Sequence, residues 1–445
     1  MSISFISDLF KLKLNCILIM NGITTLYELN IDWRGRMIHV VDAPTGQGKT
    51  NAAINYINSH EGRYLFVTPY LTELERIKKA CVDKKFYEPK AIYAEDTQVS
   101  TKKNGIKKLF SEGKNIVTTH ALFQLFDKEM IKFCKQYGYI LILDEVTNVA
   151  EPYEELMPDD LQIMLEEFVY VEDHLLRWRE DQEKYEGEKF LKEKGLCEMG
   201  CLYLYGKTTM LWQFSVDIFS AFKESFLLTY MFNGQIQKYY YDYHKLEYDR
   251  WYVKGDSIDT YELTSERQDY GKPSKYKELI TIVDNKKMNA IGDDYYALSS
   301  NWYAKGTFHQ KDMIRKKLVN FYTHYAHGGA KANLWTCFKG DQKVLRGNGY
   351  SKSFLSCNAK ATNLYRDRTN LAYVINAFIN PNIQVFFEDS SIPVDGDMYA
   401  LSSLIQWVWR SAIRDGKPII LYVPSSRMRG LLIKWLNDEV NLEWG

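Results

Sequence analysis

Eight consecutive residues, Ala43-Pro44-Thr45-Gly46-Gln47-Gly48-Lys49-Thr50, have the composition of a loop that grips phosphate. The glycines let successive backbone N–H groups converge on an anion. Lys49 can reach the outer phosphates of a nucleotide, and the Thr50 hydroxyl can ligate Mg2+. A second group is Asp144-Glu145. Adjacent carboxylates beside a phosphate loop suit two tasks: Asp144 holding Mg2+ through a water, and Glu145 orienting and deprotonating an attacking water. The third is Gln406, Arg410 and Arg414, spaced four apart and so expected on one helical face. Such a face can bond phosphate in fork geometry and stabilise charge in a phosphoryl-transfer transition state.

These residues need elements that deliver them to one place. Met37-Ile38-His39-Val40-Val41 reads as a short buried strand, and residues 51–57 have helical apolar spacing, so the loop joins a strand to a helix N-terminus. Tyr64-Leu65-Phe66-Val67 and residues 115–120 read as further strands. Tyr139-Ile140-Leu141-Ile142-Leu143 is the most strand-like run in the chain, and it ends at the carboxylate pair. Strands alternating with helices predict a parallel sheet with crossover helices, whose C-terminal strand edge is where ligands bind. Residues 226–232 are expected to be another buried strand. After the turn Asn233-Gly234, residues 236–243 read as a strand; residues 371–378 read as a helix.

Between positions 151 and 215 the alternation stops. An acidic stretch and a densely charged one predict a helical insertion. Residues 251–300 are polar and read as a link or an edge. In 301–352, ten Lys or Arg against two acids are interleaved with aromatics, which suits phosphate tracking and base stacking, or equally a core with a solvated face.

With 57 basic and 57 acidic residues, formal charge is zero and no global field advertises nucleic acid. Seven scattered Cys suit a reducing cytosol. Cys197 and Cys201 lack a second pair at zinc-site spacing. The first twenty residues are interrupted by charges and carry no clean signal-peptide pattern, so neither a membrane partner nor a leader is expected. Met20 could serve as the start in place of Met1. The expected location is the cytoplasm.

The three groups together resemble the superfamily 2 helicases, in the form of phage-encoded DEAD-like proteins. Residues 43–50 look like motif I, in which Ala at position 43 is a common variant. Asp144-Glu145-Val146-Thr147 looks like motif II, with Thr147 departing from the usual Asp or His. Gln406-Trp407-Val408-Trp409-Arg410-Ser411-Ala412-Ile413-Arg414 is similar to motif VI, with Trp409 in place of Gly and the second Arg one residue late. The resemblance implies ATP and Mg2+ as cofactors and two tandem RecA-like α/β domains. These would span residues 35–235, with the insertion, and 236–445, after an extension at 1–34. It also implies nucleic-acid contacts at Thr68 and Pro69, at Thr118 and Thr119, and at Thr362 and Asn363, with Thr229 coupling nucleotide state to domain closure. The partner implied is single-stranded or partly duplex nucleic acid, DNA favoured, with replication or recombination proteins beside it. Two other readings stay open: a translocase that moves on duplex without separating it, and a non-catalytic nucleic-acid-binding module.

Overall fold

The protein is described by a computed structural model over residues 37–93, 100–184, 186–358 and 364–442. The apolar runs become a sheet of eight strands in the spatial order Glu262–Thr264, Tyr248–Lys254, Ile38–Asp42, Glu224–Thr229, Tyr139–Asp144, Arg63–Thr68, Asn115–Thr119 and Phe86–Tyr87. Every pairing is parallel except the outer one between Tyr248–Lys254 and Glu262–Thr264. The middles of the central strands are largely apolar because both faces are covered. Along Tyr139–Asp144, Leu141 and Leu143 pack with Val40, Leu65 and Leu227 on one side. Ile140 and Ile142 pack with Ala52, Ile57 and Phe226 on the other.

Register fixes what the sheet presents. Asp42 pairs with Thr229, Leu228 with Asp144 and Thr68 with Thr119, so the polar strand ends share one edge. The loop and its helix, Lys49–Ser59, start from that edge and bury Ala52, Ala53, Ile54 and Ile57.

A second sheet has the order Ile280–Ile282, Ile419–Tyr422, Asn370–Tyr373 and Asn333–Thr336, all parallel. Its faces are packed by two clusters. One includes Leu334, Leu371, Leu421, Leu404 and Trp407; the other includes Trp335, Ala372, Tyr422, Leu318 and Phe321. The chain is thus α/β with two parallel sheets, as the alternation predicts. The first sheet continues to Thr264, past position 235, and the chain changes sheet between Thr264 and Ile280.

Three local expectations are corrected. The 151–215 segment is not a helical insertion. Its helices Pro158–Ile163 and Leu191–Glu198 pack on a five-stranded antiparallel sheet, through Leu161, Met164, Leu176, Phe190, Cys197 and Leu202. Ile236–Tyr243 is a helix, not a strand. Side-chain pairs four apart support it: Gln237 Nε2 donates to Tyr241 Oη at 2.7 Å, and Lys238 Nζ lies 2.6 Å from Asp242 Oδ2. Asn370–Tyr373 is a buried central strand where a helix was expected, and the chain runs on from it without helix through 374–380. Among the described residues, no helix is long and apolar enough to cross a membrane, and no group of three or more His, Cys, Asp or Glu is placed to hold a metal ion.

Candidate functional site

At the edge of the first sheet the loop turns sharply, with Gly46 at φ 96° and Gly48 at φ 78°, values that favour glycine. Gly48 is the N-cap of the helix Lys49–Ser59. Lys49 folds back over the loop: its Nζ donates to the Ala43 carbonyl at 2.5 Å and the Pro44 carbonyl at 3.2 Å. Burial draws the Lys49 ammonium down to about 8, against the opposing pull of Glu145, Asp42 and Asp144.

The strand Tyr139–Asp144 brings its carboxylate to the same spot. Thr50 Oγ1 donates to Asp144 Oδ1 at 3.2 Å, and Thr68 Oγ1 lies 3.5 Å from Oδ2. Burial, and then the charge of Glu145, push the Asp144 carboxyl up to about 7, with the Thr50 hydrogen bond opposing. His120 Nε2 lies 3.0 Å from the Asp144 carbonyl, which fixes Nε2 as the donor. Glu145 leaves the strand at φ 69°, a left-handed conformation that a non-glycine residue adopts at a cost of about 1 kcal/mol or more. Its N–H is held by the Leu228 carbonyl at 2.9 Å.

From the segment packed on the second sheet come the arginines. Arg410 is 3% exposed, its Nη2 lies 3.6 Å from Glu145 Oε1, and its Nε is buried with no hydrogen-bond partner among the described residues. Arg414 lies against the loop, its Cγ 3.7 Å from where a Cβ on Gly46 would stand. Its guanidinium pKa is lowered by burial and by the neighbouring charges of Arg410 and Arg366. Arg410, Arg414, Gly46, Lys49, Thr50, Asp144 and Glu145 all line one cleft of about 360 Å3.

The single helical face is a further correction. The helix Gly396–Val408 ends before Arg410, which sits in a turn, and Arg414 lies in the short 3-10 helix Ala412–Asp415. Burial of Trp407, Trp409 and Ile413 in the second core sets this path. Gln406 stays on the helix and does not line the cleft; its Nε2 is 3.4 Å from the Tyr230 carbonyl at the end of the strand Glu224–Thr229.

Of the other expected residues, Thr68 and Thr118 are buried side chains, while Pro69 and Thr119 are partly exposed at the strand edge. Thr229 is buried and its hydroxyl has no partner among the described residues. Thr147 is buried too, and its N–H donates to Gln237 Oε1 at 2.9 Å. Thr362 and Asn363 lie outside the described residues. The 301–352 aromatics are largely core: Tyr303, Phe321, Trp335 and Tyr350 are buried.

Several site residues were not foreseen. Asp42 accepts from the N–H groups of Met231 and Phe232 at 2.8 and 3.3 Å, and an acid directly before the loop was a readable signal. Arg366, bound to Asp415, lines the cleft with Glu73 and Arg76. Tyr261, in the polar stretch 251–300, lies directly against Gly48; nothing in its sequence context marks it.

Residues 274–436 match the family model described as the YonV C-terminal Rossmann-like domain. The fold is also similar to a structure titled XPD helicase, at 12% identity and a TM-score of 0.47 over 91% of this chain and 96% of that one. A structure of Xpd4 from S. tokodaii gives 11% identity and a TM-score of 0.46 over 90% and 94%. An SPbeta prophage-derived uncharacterized protein of Bacillus subtilis strain 168, YonV, is 40% identical over 412 residues, which are 90% of this chain and 99% of that protein. Identity of that level over nearly the whole length of both chains shows that this chain belongs to the YonV family.

Proposed function

We propose that the chain is an ATP hydrolase that couples turnover to movement along or unwinding of nucleic acid, built as two RecA-like domains. One observation carries the reading: Arg410, in the turn after the helix Gly396–Val408 that packs on the second sheet, comes within 3.6 Å of Glu145, which follows a strand of the first sheet beside the Gly-Lys-Thr loop. A site built half from each sheet ties hydrolysis to their relative movement.

The residues suit the groups they would hold. A buried Asp144 carboxylate beside a second carboxylate is relieved by a divalent cation, and the Arg410 Nε, without a partner among the described residues, is relieved by an anion. Thr50 and Asp144 would hold Mg2+. When bound, Mg2+ neutralises charge on the phosphoryl oxygens. The backbone of residues 46–50 and Lys49 bind the phosphates. Glu145 orients the attacking water and accepts its proton. Arg410 and Arg414 stabilise the charge that grows on the transferred group, and release of that charge lets the two sheets part. Gln406, through the Tyr230 carbonyl, links the arginine segment to the first sheet one residue past Thr229, which would sense closure from the strand end. Pro69 and Thr119, partly exposed at the strand edge, would meet the nucleic-acid backbone, with DNA the favoured partner.

The test is ATP hydrolysis with single-stranded DNA, single-stranded RNA and duplex DNA, beside a strand-displacement measurement. Stimulation by a single strand with displacement supports unwinding. Stimulation by duplex alone, with no strand displaced, makes the protein a duplex translocase. No stimulation by any of the three removes nucleic acid from the reading.

A further inference from the structure

The cleft has a second wall that the hydrolysis chemistry does not use. Arg414 meets the loop at Gly46, whereas Tyr261 meets it at Gly48: a Cβ on Gly48 would come within 2.4 Å of the Tyr261 ring. Tyr261 ends a turn that begins at Gly255. The turn is held internally, since Thr260 Oγ1 accepts from the N–H groups of Asp256 and Ser257 at 3.2 and 3.0 Å. It is also pinned to the loop's own helix: Asn55 Nδ2 donates to the carbonyls of Ile258 and Tyr261, both at 2.9 Å. On this fixed turn Ile258 is 66% exposed, and it lines the cleft with Tyr261. A branched apolar side chain displayed on an anchored turn, beside an aromatic ring, is a surface shaped to be covered.

The direction of the phosphate chain says by what. With the outer phosphates toward Lys49, Glu145 and Arg410, the inner phosphate and the nucleoside extend toward the first turn of the helix, at Thr50 and Asn51. The other side chains there are engaged with one another. Arg76 Nε donates to Glu73 Oε2 at 2.6 Å, and Arg76 Nη1 lies 3.4 Å from Asn51 Oδ1. They offer little to read a base edge, whereas Tyr261 and Ile258 offer a ring and an aliphatic face to any base.

We propose that Tyr261 and Ile258 form the nucleoside platform of the cleft, gripping the base by its face and so accepting ATP and GTP alike. This rests on the nucleotide reading above. The experiment measures binding of ATP, GTP and inorganic tripolyphosphate, each with Mg2+, to the full chain and to Tyr261→Ala, Tyr261→Phe and Ile258→Ser. Loss of one stacking surface weakens a bound base about tenfold or more. Tyr261→Ala should therefore lose ATP and GTP affinity by that factor and keep tripolyphosphate affinity within about twofold. Tyr261→Phe should restore both nucleotides, and Ile258→Ser should show a smaller loss of the same kind. Equal loss of tripolyphosphate would make Tyr261 a prop for the loop and overturn the platform, as would unchanged ATP affinity in Tyr261→Ala. A wild-type preference for one purine above about tenfold would overturn recognition by the face alone. A wild-type protein that binds none of the three would instead overturn the nucleotide reading itself.

Discussion

Arg410→Met separates turnover from stability, because the two effects have opposite signs. Arg410 is 3% exposed; among the described residues its ion pair, to Glu145, is long at 3.6 Å and its Nε has no partner. A buried charge so poorly matched contributes little to folding. Replacing it with an apolar side chain of similar length should be neutral, or stabilising by about 1 kcal/mol or more. Glu145 keeps access to the cleft, so water can take the place of the guanidinium. The melting temperature should therefore hold or rise by about 2 °C. Turnover should collapse. Loss of an arginine that stabilises phosphoryl-transfer charge costs about 10^3 to 10^5 in kcat. With Arg414 still beside Gly46, the lower end applies: about 10^3, or roughly 4 kcal/mol of barrier. Single-turnover ATP hydrolysis with saturating single-stranded DNA, beside calorimetric unfolding, reads both. A Met variant within tenfold of wild type in rate would refute the role given to Arg410. A variant that loses its unfolding transition would refute the claim that this buried charge is dispensable to the fold.

Glu145→Gln should bind ATP with wild-type affinity and turn over about 10^2-fold or more slowly, read by filter binding and phosphate release. Leu141→Ala, in the central strand and 1% exposed, should cost about 3 kcal/mol in denaturant unfolding. His39 gives a pH signature. Its Nδ1 lies 2.6 Å from Asp249 Oδ1 and its Nε2 3.1 Å from Glu224 Oε1. Tyr56 donates to the same Glu224, Lys223 lies near it in charge, and the rings of Phe226 and Trp251 pack on the imidazole. Burial alone would lower its pKa, but the two carboxylates outweigh burial and raise it. The stabilisation is complete below the unfolded value of 6.5 and is lost as pH rises through the higher folded value. The melting-temperature gap between wild type and His39→Gln should therefore narrow from pH 6 to pH 9, and a gap constant across that range would contradict it.

Where local pattern and tertiary setting agree, the sequence was readable. The strand Tyr139–Asp144 is apolar because both faces are covered, and its carboxylate end needed no further clue. Glycines at 46 and 48 adopt the positive φ that the phosphate-loop spacing demands. Errors came where packing decided. In the helix Ile236–Tyr243, three consecutive tyrosines at 239–241 are all buried, so aromatic content imitates a strand and outweighs the polar pair Lys238 and Asp242 four apart. The run 371–375 around the strand Asn370–Tyr373 is continuously apolar, a feature that a central parallel strand and a buried helix share. Gln406, Arg410 and Arg414 fell at helical spacing, yet burial of Trp407, Trp409 and Ile413 ends the helix at Val408 and swings only the arginines into the cleft. Tyr261 was invisible because its role depends on contact with a glycine 213 positions earlier in the chain.

The central claim is that the loop of the first sheet and the arginines of the second form one hydrolytic site. The most direct measurement is Mg2+-dependent ATP hydrolysis by the wild-type chain and by Lys49→Ala, with saturating single-stranded DNA. Hydrolysis by the wild type that falls to background in Lys49→Ala, while the variant keeps its unfolding transition, is the predicted result. Full hydrolysis in Lys49→Ala would contradict it.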